Sequence, residues 1–160
     1  MSDEAEIAGG FGDLDELYQE VILDHYRSPR NRKTLDAPDI TVDGLNPYCG
    51  DEVSIQASLV GQKVVDVGIS GLGCSISQAS LSMMSELLKN KSLNDFQRLV
   101  SLFKRFLEGA KLSDSETAEL GGLEALSGLH KYPIRIKCAL LGWTTMEEGI
   151  LEYRSGNPSE

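Results

Sequence analysis

Two short segments in which apolar and polar residues alternate strictly constrain the fold more than any other feature of the chain. They are residues 53–59 (VSIQASL) and residues 65–69 (VDVGI), with the turn-forming residues Gly61-Gln62-Lys63 between them. A period of two places all the apolar side chains of a strand on one face. The pattern predicts a hairpin with one buried face, and Thr41-Val42 is the expected third strand of a small antiparallel sheet.

Helical periodicity in other parts of the chain predicts the elements that cover this face. Apolar residues recur at helical spacing from Asp13 to just before Pro29, from about 77 to 89, from 92 to 109, and from Pro133 toward Tyr153. Ser92 is the expected N-cap of the third of these helices, and Ser75 or Ser77 that of the second. Residues 111–128 are rich in Ser, Glu and Gly and predict a partly helical, partner-accessible insertion.

The length and charge of the chain limit its domain count and its partners. The 160 residues suffice for one domain, which we place at residues 13–160 after a mobile acidic tail at residues 1–12. The net charge of −10 argues against nucleic acid and anionic membranes as partners. The acidic N-terminus lacks the basic start of a secretory signal, and no uncharged run suits a bilayer. We therefore expect a soluble, cytoplasmic protein.

All three cysteines lie where turns or helix starts are expected. Cys49 follows Asn46-Pro47 in a turn-rich segment and stands two residues before Asp51, so both side chains can reach one ion. Cys74 ends a Gly-Leu-Gly turn just before a helix, whose first N–H groups favour a thiolate. Cys138 lies in the first turns of the last helix. An odd number of cysteines without a signal peptide favours reduced thiols over a disulfide framework.

Three thiolates and one carboxylate form a ligand set suited to tetrahedral zinc, and the soft sulfurs also suit iron in a sulfide cluster. The spacing is not that of a zinc finger, because the ligands are spread over about 90 residues and no Cys-x-x-Cys pair occurs. The residues alone predict a metal site at Cys49, Asp51, Cys74 and Cys138 and leave the metal open. The alternatives are buried structural cysteines and a turn-capping aspartate, with His130 as the reserve ligand.

Four longer motifs contain these residues or precede them. They are Asp24-His25-Tyr26-x-x-Pro29-Arg30-Asn31, Asn46-Pro47-x-Cys49-Gly50-Asp51, Gly71-x-Gly73-Cys74-Ser75-Ile76-Ser77-x-Ala79-Ser80 and Arg135-Ile136-Lys137-Cys138-Ala139-x-Leu141-x-Trp143. Over about residues 13 to 155 the chain resembles the SufU-type zinc-dependent sulfurtransferases of the IscU-like (NifU N-terminal) superfamily. The resemblance implies an α+β fold in which a three-stranded antiparallel sheet packs against about five helices.

The same resemblance implies a function and its partners. It implies zinc held by Cys49, Asp51, Cys74 and Cys138, and a role in iron–sulfur cluster assembly as a sulfurtransferase that accepts persulfide sulfur. The implied partners are a SufS-type cysteine desulfurase, which donates the sulfur, and a downstream iron–sulfur assembly scaffold. We expect Cys49 to be the sulfur acceptor, after a partner side chain displaces it from zinc, because its turn is more flexible than the helices that hold the other cysteines.

The alternative within the superfamily is an IscU-type scaffold on which iron–sulfur clusters are transiently assembled. Scaffold-type members carry a histidine immediately before the third cysteine, where this chain has Lys137, and they lack the insertion at about 109–128. Both departures favour the sulfurtransferase. The chain also departs from the family pattern at Tyr48, where Thr or another small residue is usual, and at Gly142, where Ala is usual.

Charge near the ligands and a third class of function complete the expectations. Zinc with three thiolates and one carboxylate has a formal charge of about −2, which Arg135 and Lys137 are placed to offset around the ligands, unless they form only a solvated helix end. A fully coordinated zinc is usually structural, so a zinc domain that only binds proteins is the third class beside acceptor and scaffold. His25 is expected to be an ordinary structural residue.

Overall fold

The computed structural model of the protein describes residues 16–48 and 50–156. Within these ranges a three-stranded antiparallel sheet packs against five α-helices, which confirms the predicted α+β fold. The strands are β1 (Ile40–Asn46), β2 (Asp51–Val60) and β3 (Lys63–Leu72), and the helices are α1 (Glu16–Arg27), α2 (Ser75–Leu88), α3 (Leu93–Leu107), α4 (Asp114–Leu120) and α5 (Pro133–Gly156), with a 3-10 helix (Gly121–Lys131) between the last two. The tail predicted at residues 1–12 lies outside the described residues.

The sheet follows the chain order β1-β2-β3, and its register brings three strand ends together. The hairpin turn is tighter than predicted, because Lys63 is already the first residue of β3 and pairs with Val60. At the opposite end of the sheet Asn46 pairs with Asp51, and Glu52 pairs with Leu72. The start of β2 therefore lies between the end of β1 and the end of β3.

Helices α2 and α5 pack against each other, and both contact the sheet. Trp143 of α5 is fully buried, and its ring is stacked on Phe96 with centroids 5.5 Å apart and tilted against Phe103 at 4.7 Å. Its Nε1–H donates to the hydroxyl of Ser80 on α2 at 3.1 Å. At Gly142 a Cβ atom would lie 2.9 Å from a methyl of Leu81, so a glycine lets the two helices approach closely at this point.

The segment predicted as a partly helical insertion is almost wholly helical and contributes to the core. Helix α4 begins with a capping box between Ser113 and Glu116, and the 3-10 helix follows it directly. A row of leucines three residues apart is at most 2% exposed: Leu120, Leu123, Leu126 and Leu129. Because a 3-10 helix has three residues per turn, this spacing places all four on one side. The apolar side of the segment predicted as an insertion is therefore buried and not accessible to a partner.

Residues of the motif at 24–31 attach α1, and the segment that follows it, to α2 through hydrogen bonds. His25 is buried, and its Nδ1 lies 2.8 Å from the Ser82 hydroxyl oxygen, which also accepts the Arg30 backbone N–H at 2.9 Å. The Asn31 side chain donates to the Ser85 hydroxyl at 2.9 Å. These contacts give His25 a structural role. None of the helices within the described ranges has the length and apolar character needed to cross a membrane.

Candidate metal centre

Three of the four predicted ligands are brought together by three different elements. Asp51 is the first residue of β2, Cys74 immediately precedes α2, and Cys138 lies in the second turn of α5. One carboxylate oxygen and the two sulfurs all lie within 4.8 Å of one another. Cys49, the fourth predicted ligand, lies outside the described residues. The sequence separates the three clustered residues widely, so only the tertiary fold brings them together.

Cys74 is the N-cap of α2, a role that the sequence pattern assigned to Ser75 or Ser77. Its sulfur accepts the Ser77 backbone N–H at 3.4 Å, and the Ser77 hydroxyl donates to the Cys74 carbonyl at 3.1 Å. Hydroxyls are the usual N-caps, which is why the prediction placed the helix start too late. The cap directs partially positive N–H groups at the sulfur and so stabilises its thiolate.

Asp51 is fully buried, although aspartate is seldom buried without a partner. Its Oδ1 accepts the Cys74 backbone N–H at 2.9 Å, and its Oδ2 lies 3.8 Å from the Cys74 sulfur. Gly73 has φ +153°, and a Cβ atom there would lie 2.3 Å from Oδ1 of Asp51. A glycine is therefore required beside the carboxylate, and this requirement explains the Gly-Leu-Gly-Cys sequence.

The two thiols share a hydrogen bond that favours one thiolate. This bond from Cys138 lowers the pKa of Cys74 to about 6, and the N–H of Ser77 adds to the effect. Burial and the negative charge of Asp51 act in the opposite direction. With this lowered pKa, the Cys74 sulfur is mainly a thiolate near neutral pH.

The donor atoms fit zinc in both chemistry and spacing. Ligands in a tetrahedral zinc site with sulfur and oxygen donors lie about 3.5–3.8 Å apart, as follows from metal–ligand lengths of about 2.0–2.3 Å. The separation of 3.8 Å between the Cys74 sulfur and Asp51 agrees with this value, and the whole group lies within 4.8 Å. Small side-chain movements are therefore sufficient to close three donors around one ion. Neither Cys74 nor Cys138 is part of a disulfide.

The cations predicted near the ligands occupy different positions. Arg135 lines a cavity of about 630 Å³, and Cys74 and Cys138 line the same cavity. Lys137 is exposed and lies with its Nζ 5.0 Å from the centre of the Tyr48 ring. Sequence reasoning did not foresee this contact, because the two residues are far apart in the chain. His130 is exposed, and its Nδ1 lies 2.9 Å from the Ser127 carbonyl oxygen, so it is not one of the clustered ligands.

Comparison with known proteins gives a consistent family. Residues 17–159 match the NifU-like N-terminal domain. The chain is 42% identical over 144 residues to the zinc-dependent sulfurtransferase SufU of Bacillus subtilis, covering 90% of this chain and 96% of that protein. It is 36% identical to the iron–sulfur cluster assembly scaffold protein IscU of Streptococcus pyogenes, covering 90% and 87%.

A solved structure extends the likeness to the fold. It is a candidate iron–sulfur cluster assembly scaffold protein for the SUF system from Fervidobacterium islandicum, with 30% identity and a TM-score of 0.75, covering 81% of this chain and 93% of that one. The residues that match the family model include all three strands and the three clustered residues Asp51, Cys74 and Cys138. Sequence and fold thus agree, and the chain belongs to the NifU-like N-terminal domain family.

Proposed function

We propose that this protein binds zinc through Cys49, Asp51, Cys74 and Cys138 and accepts sulfur from a SufS-type cysteine desulfurase for iron–sulfur cluster assembly. The observation that carries the proposal is the grouping of one carboxylate and two thiol ligands within 4.8 Å at one end of the sheet. The similarity to a zinc-dependent sulfurtransferase supports zinc over iron. Lys137 in place of the scaffold histidine supports the acceptor role.

The residues around the ligands prepare the site before any metal is bound. The Cys74 N–H holds Asp51 in place, and the lowered pKa of Cys74 supplies a thiolate near neutral pH. Zinc, when bound, would keep the cysteine sulfurs deprotonated and hold them together. Arg135, which lines the same cavity as Cys74 and Cys138, would partly offset the negative charge of the assembled ligand set, and Lys137, next to Cys138 in the chain, would add to this.

Cys49 is proposed as the sulfur acceptor because the other two cysteines are restrained. Cys138 is 1% exposed within α5, and Cys74 is engaged as a helix cap. In the transfer step, the Cys49 thiolate attacks the terminal sulfur of the desulfurase persulfide. A sulfur–sulfur bond forms on Cys49, and the desulfurase cysteine leaves as a thiolate, so no oxidant or reductant is needed.

The metal content of protein purified without oxygen and dialysed against a chelator tests the ligand set. About one zinc per chain is expected, and Asp51→Ala should lose or weaken it. Asp36→Ala is the matched control, because Asp36 is an exposed carboxylate outside the site. Iron with sulfide in place of zinc would favour the scaffold alternative. A folded protein without metal would contradict the site.

Sulfur acceptance tests the role of Cys49. Incubation with a desulfurase and cysteine should give a persulfide on the chain, seen by mass spectrometry, and faster release of alanine. Cys49→Ala should abolish both. If Cys49→Ala still accepts sulfur while Cys138→Ala does not, the acceptor has been assigned to the wrong cysteine. A protein that binds zinc but never accepts sulfur would belong to the structural class.

A further inference from the structure

The two chain neighbours of Cys49, Tyr48 and Gly50, are both hydrogen-bonded to Asn46. Asn46, 7% exposed, accepts the Tyr48 backbone N–H through its side-chain oxygen at 3.1 Å. Its backbone carbonyl accepts the Gly50 N–H at 2.8 Å. Gly50 has φ +71°, which suits the end of such a turn. These bonds define the local shape of the turn, but they do not connect it to α5, which carries Cys138.

The strands on either side of the turn pack against α5, and two side chains, Tyr48 and Lys137, add a contact between the turn and the start of that helix. Tyr48 is 82% exposed, so its ring is not held by the hydrophobic core. Its ring lies 5.0 Å from the Nζ of Lys137, within the range of a cation–π interaction. Tyr48 immediately precedes Cys49, and Lys137 immediately precedes Cys138. The contact therefore joins the neighbours of two proposed ligands.

We propose that Tyr48 is a positioning residue that, through its contact with Lys137, holds the turn of residues 46–50 against the start of α5 and restrains Cys49. An exposed aromatic ring over a cation gains stability only while the two segments stay together. Movement of Tyr48 away from Lys137 therefore breaks this contact. A small residue at position 48 has no such restraint, so this chain releases its acceptor cysteine less readily than a variant with a small residue there.

The test measures the rate at which iodoacetamide alkylates each cysteine, resolved by peptide mass spectrometry. Tyr48→Leu removes the ring and keeps apolar bulk, whereas Tyr48→Phe keeps the ring and is the matched control. Tyr48→Leu should speed alkylation of Cys49 about two- to fivefold, the factor expected for one exposed cation–π pair. Cys74, which is partly exposed, serves as the internal reference in the same sample and should keep its rate.

A double-mutant cycle with Lys137→Met separates the pair from effects of either residue alone. In the Lys137→Met background, Tyr48→Leu should cause no further increase. An unchanged Cys49 rate in Tyr48→Leu would overturn the proposal. An equal increase with and without Lys137, or the same increase in Tyr48→Phe, would overturn it as well. Because Tyr48 is exposed, none of these variants is expected to unfold the protein.

The inference rests on the proposed function only in identifying Cys49 as a zinc ligand and sulfur acceptor. The cycle is therefore run on metal-free and on zinc-loaded protein. If zinc does not protect Cys49 from alkylation, Cys49 is not a ligand and the proposed site is wrong. The cycle in metal-free protein still decides whether Tyr48 and Lys137 restrain the turn, so the two failures are distinguishable.

Discussion

Helix α2 carries polar side chains at its start and in its middle, and the two sets have different partners. At the start, Cys74 and Ser77 form a cap whose sulfur remains available to an ion. In the middle, the buried hydroxyls of Ser80, Ser82 and Ser85 are all hydrogen-bonded within the chain. One helix thus provides a group that can bind an ion at its start and buried, hydrogen-bonded hydroxyls that hold neighbouring elements in its middle.

Each serine hydroxyl in the middle of α2 forms its hydrogen bonds with other groups of the protein. Ser80 donates to the Ala139 carbonyl at 2.6 Å and accepts the Trp143 indole N–H at 3.1 Å. Ser85 donates to the Ser82 carbonyl at 2.6 Å. Buried polar groups of this kind stabilise a unique packing but offer no ligand to an ion. Substitutions at the start of α2 should therefore change metal binding, and substitutions of the serines in its middle should change the stability of the protein.

The largest effect is expected from Gly73→Ala at the start of the helix. The added Cβ would lie 2.3 Å from the Asp51 carboxylate, so the carboxylate has to move. We expect zinc affinity to fall about ten- to a hundredfold, as is typical when the groups that orient a ligand are disturbed. Competition with a chromogenic chelator measures this.

Gly61→Ala is the control for backbone strain in that experiment. Gly61 also has a positive φ, +62°, but a Cβ atom there meets nothing within 4 Å. Its zinc affinity should match that of the unmodified protein. Equal losses in both variants would mean that the contact with Asp51 is not the cause.

The next effect is expected in the middle of the helix, from Ser80→Ala. The buried indole N–H of Trp143 would lose its acceptor, which costs about 1–3 kcal/mol of unfolding free energy. Urea denaturation measures the loss, and the zinc content should stay unchanged. Ser101→Ala, an exposed serine on α3, should change stability by less than about 0.5 kcal/mol. Loss of zinc in Ser80→Ala would remove the distinction between the two sets.

A smaller effect concerns the thiolate at the helix start. In metal-free protein, alkylation of Cys74 should follow a titration with a midpoint near about 6. Cys138→Ala removes the hydrogen bond that contributes most to this lowered pKa, so the midpoint should rise by about one unit or more. A rise from about 6 to about 7 lowers the thiolate fraction at about pH 7 from about nine-tenths to about one-half, so the alkylation rate then falls about twofold, and further for a larger rise. Cys138→Ser keeps a hydrogen-bond donor, so the alkylation rate of Cys74 should fall less in this variant. An unchanged midpoint in Cys138→Ala would contradict the hydrogen bond from Cys138 as the main cause of the lowered pKa.

The smallest expected effect is the pH dependence of the unfolding free energy that comes from His25, which contacts Ser82 in the middle of α2. Burial, and then the charge of Arg30, lower the pKa of His25 from its ordinary value of 6.5. The unfolded chain therefore binds a proton first as the pH falls. The stability is complete above about pH 6.5 and decreases from there toward the lowered pKa of the folded state.

Urea midpoints at about pH 7.5 and about pH 5.5 measure this contribution against His25→Gln. The unmodified protein should lose more stability than the variant between the two pH values. Equal losses would show that His25 titrates alike in the folded and unfolded chain. The Glu86 carboxylate, 3.8 Å from the histidine Nε2, partly offsets the effect.

Much of the fold could be predicted because its signals are local. The alternation in residues 53–59 predicts a buried strand face, and β2 has that face. Ser92 caps α3 through the Asp95 N–H at 3.0 Å, and Pro133 begins α5, both as predicted. Each of these predictions depends on a few neighbouring residues, so distant packing does not change it.

The rest depended on contacts that a linear pattern does not contain. The leucines at intervals of three match the three residues per turn of a 3-10 helix, but such helices are usually short. Judged by the α-helical period of about 3.6 residues, the same segment is only weakly periodic. The cap by Cys74 was missed because sulfur is an uncommon N-cap. The contact of Tyr48 with Lys137 needs the tertiary fold. The position of Cys49 in the predicted ligand set stays a prediction.

The packing of Trp143 also gives the protein a natural optical probe. It is the only tryptophan of the chain, and it is fully buried between aromatic rings and a serine hydroxyl. Its fluorescence should be emitted at short wavelength and shift to the red when α5 separates from α2 or α3. Because Cys74 and Cys138 lie on or beside these same helices, emission recorded during zinc removal reports whether the core loosens when the ion leaves.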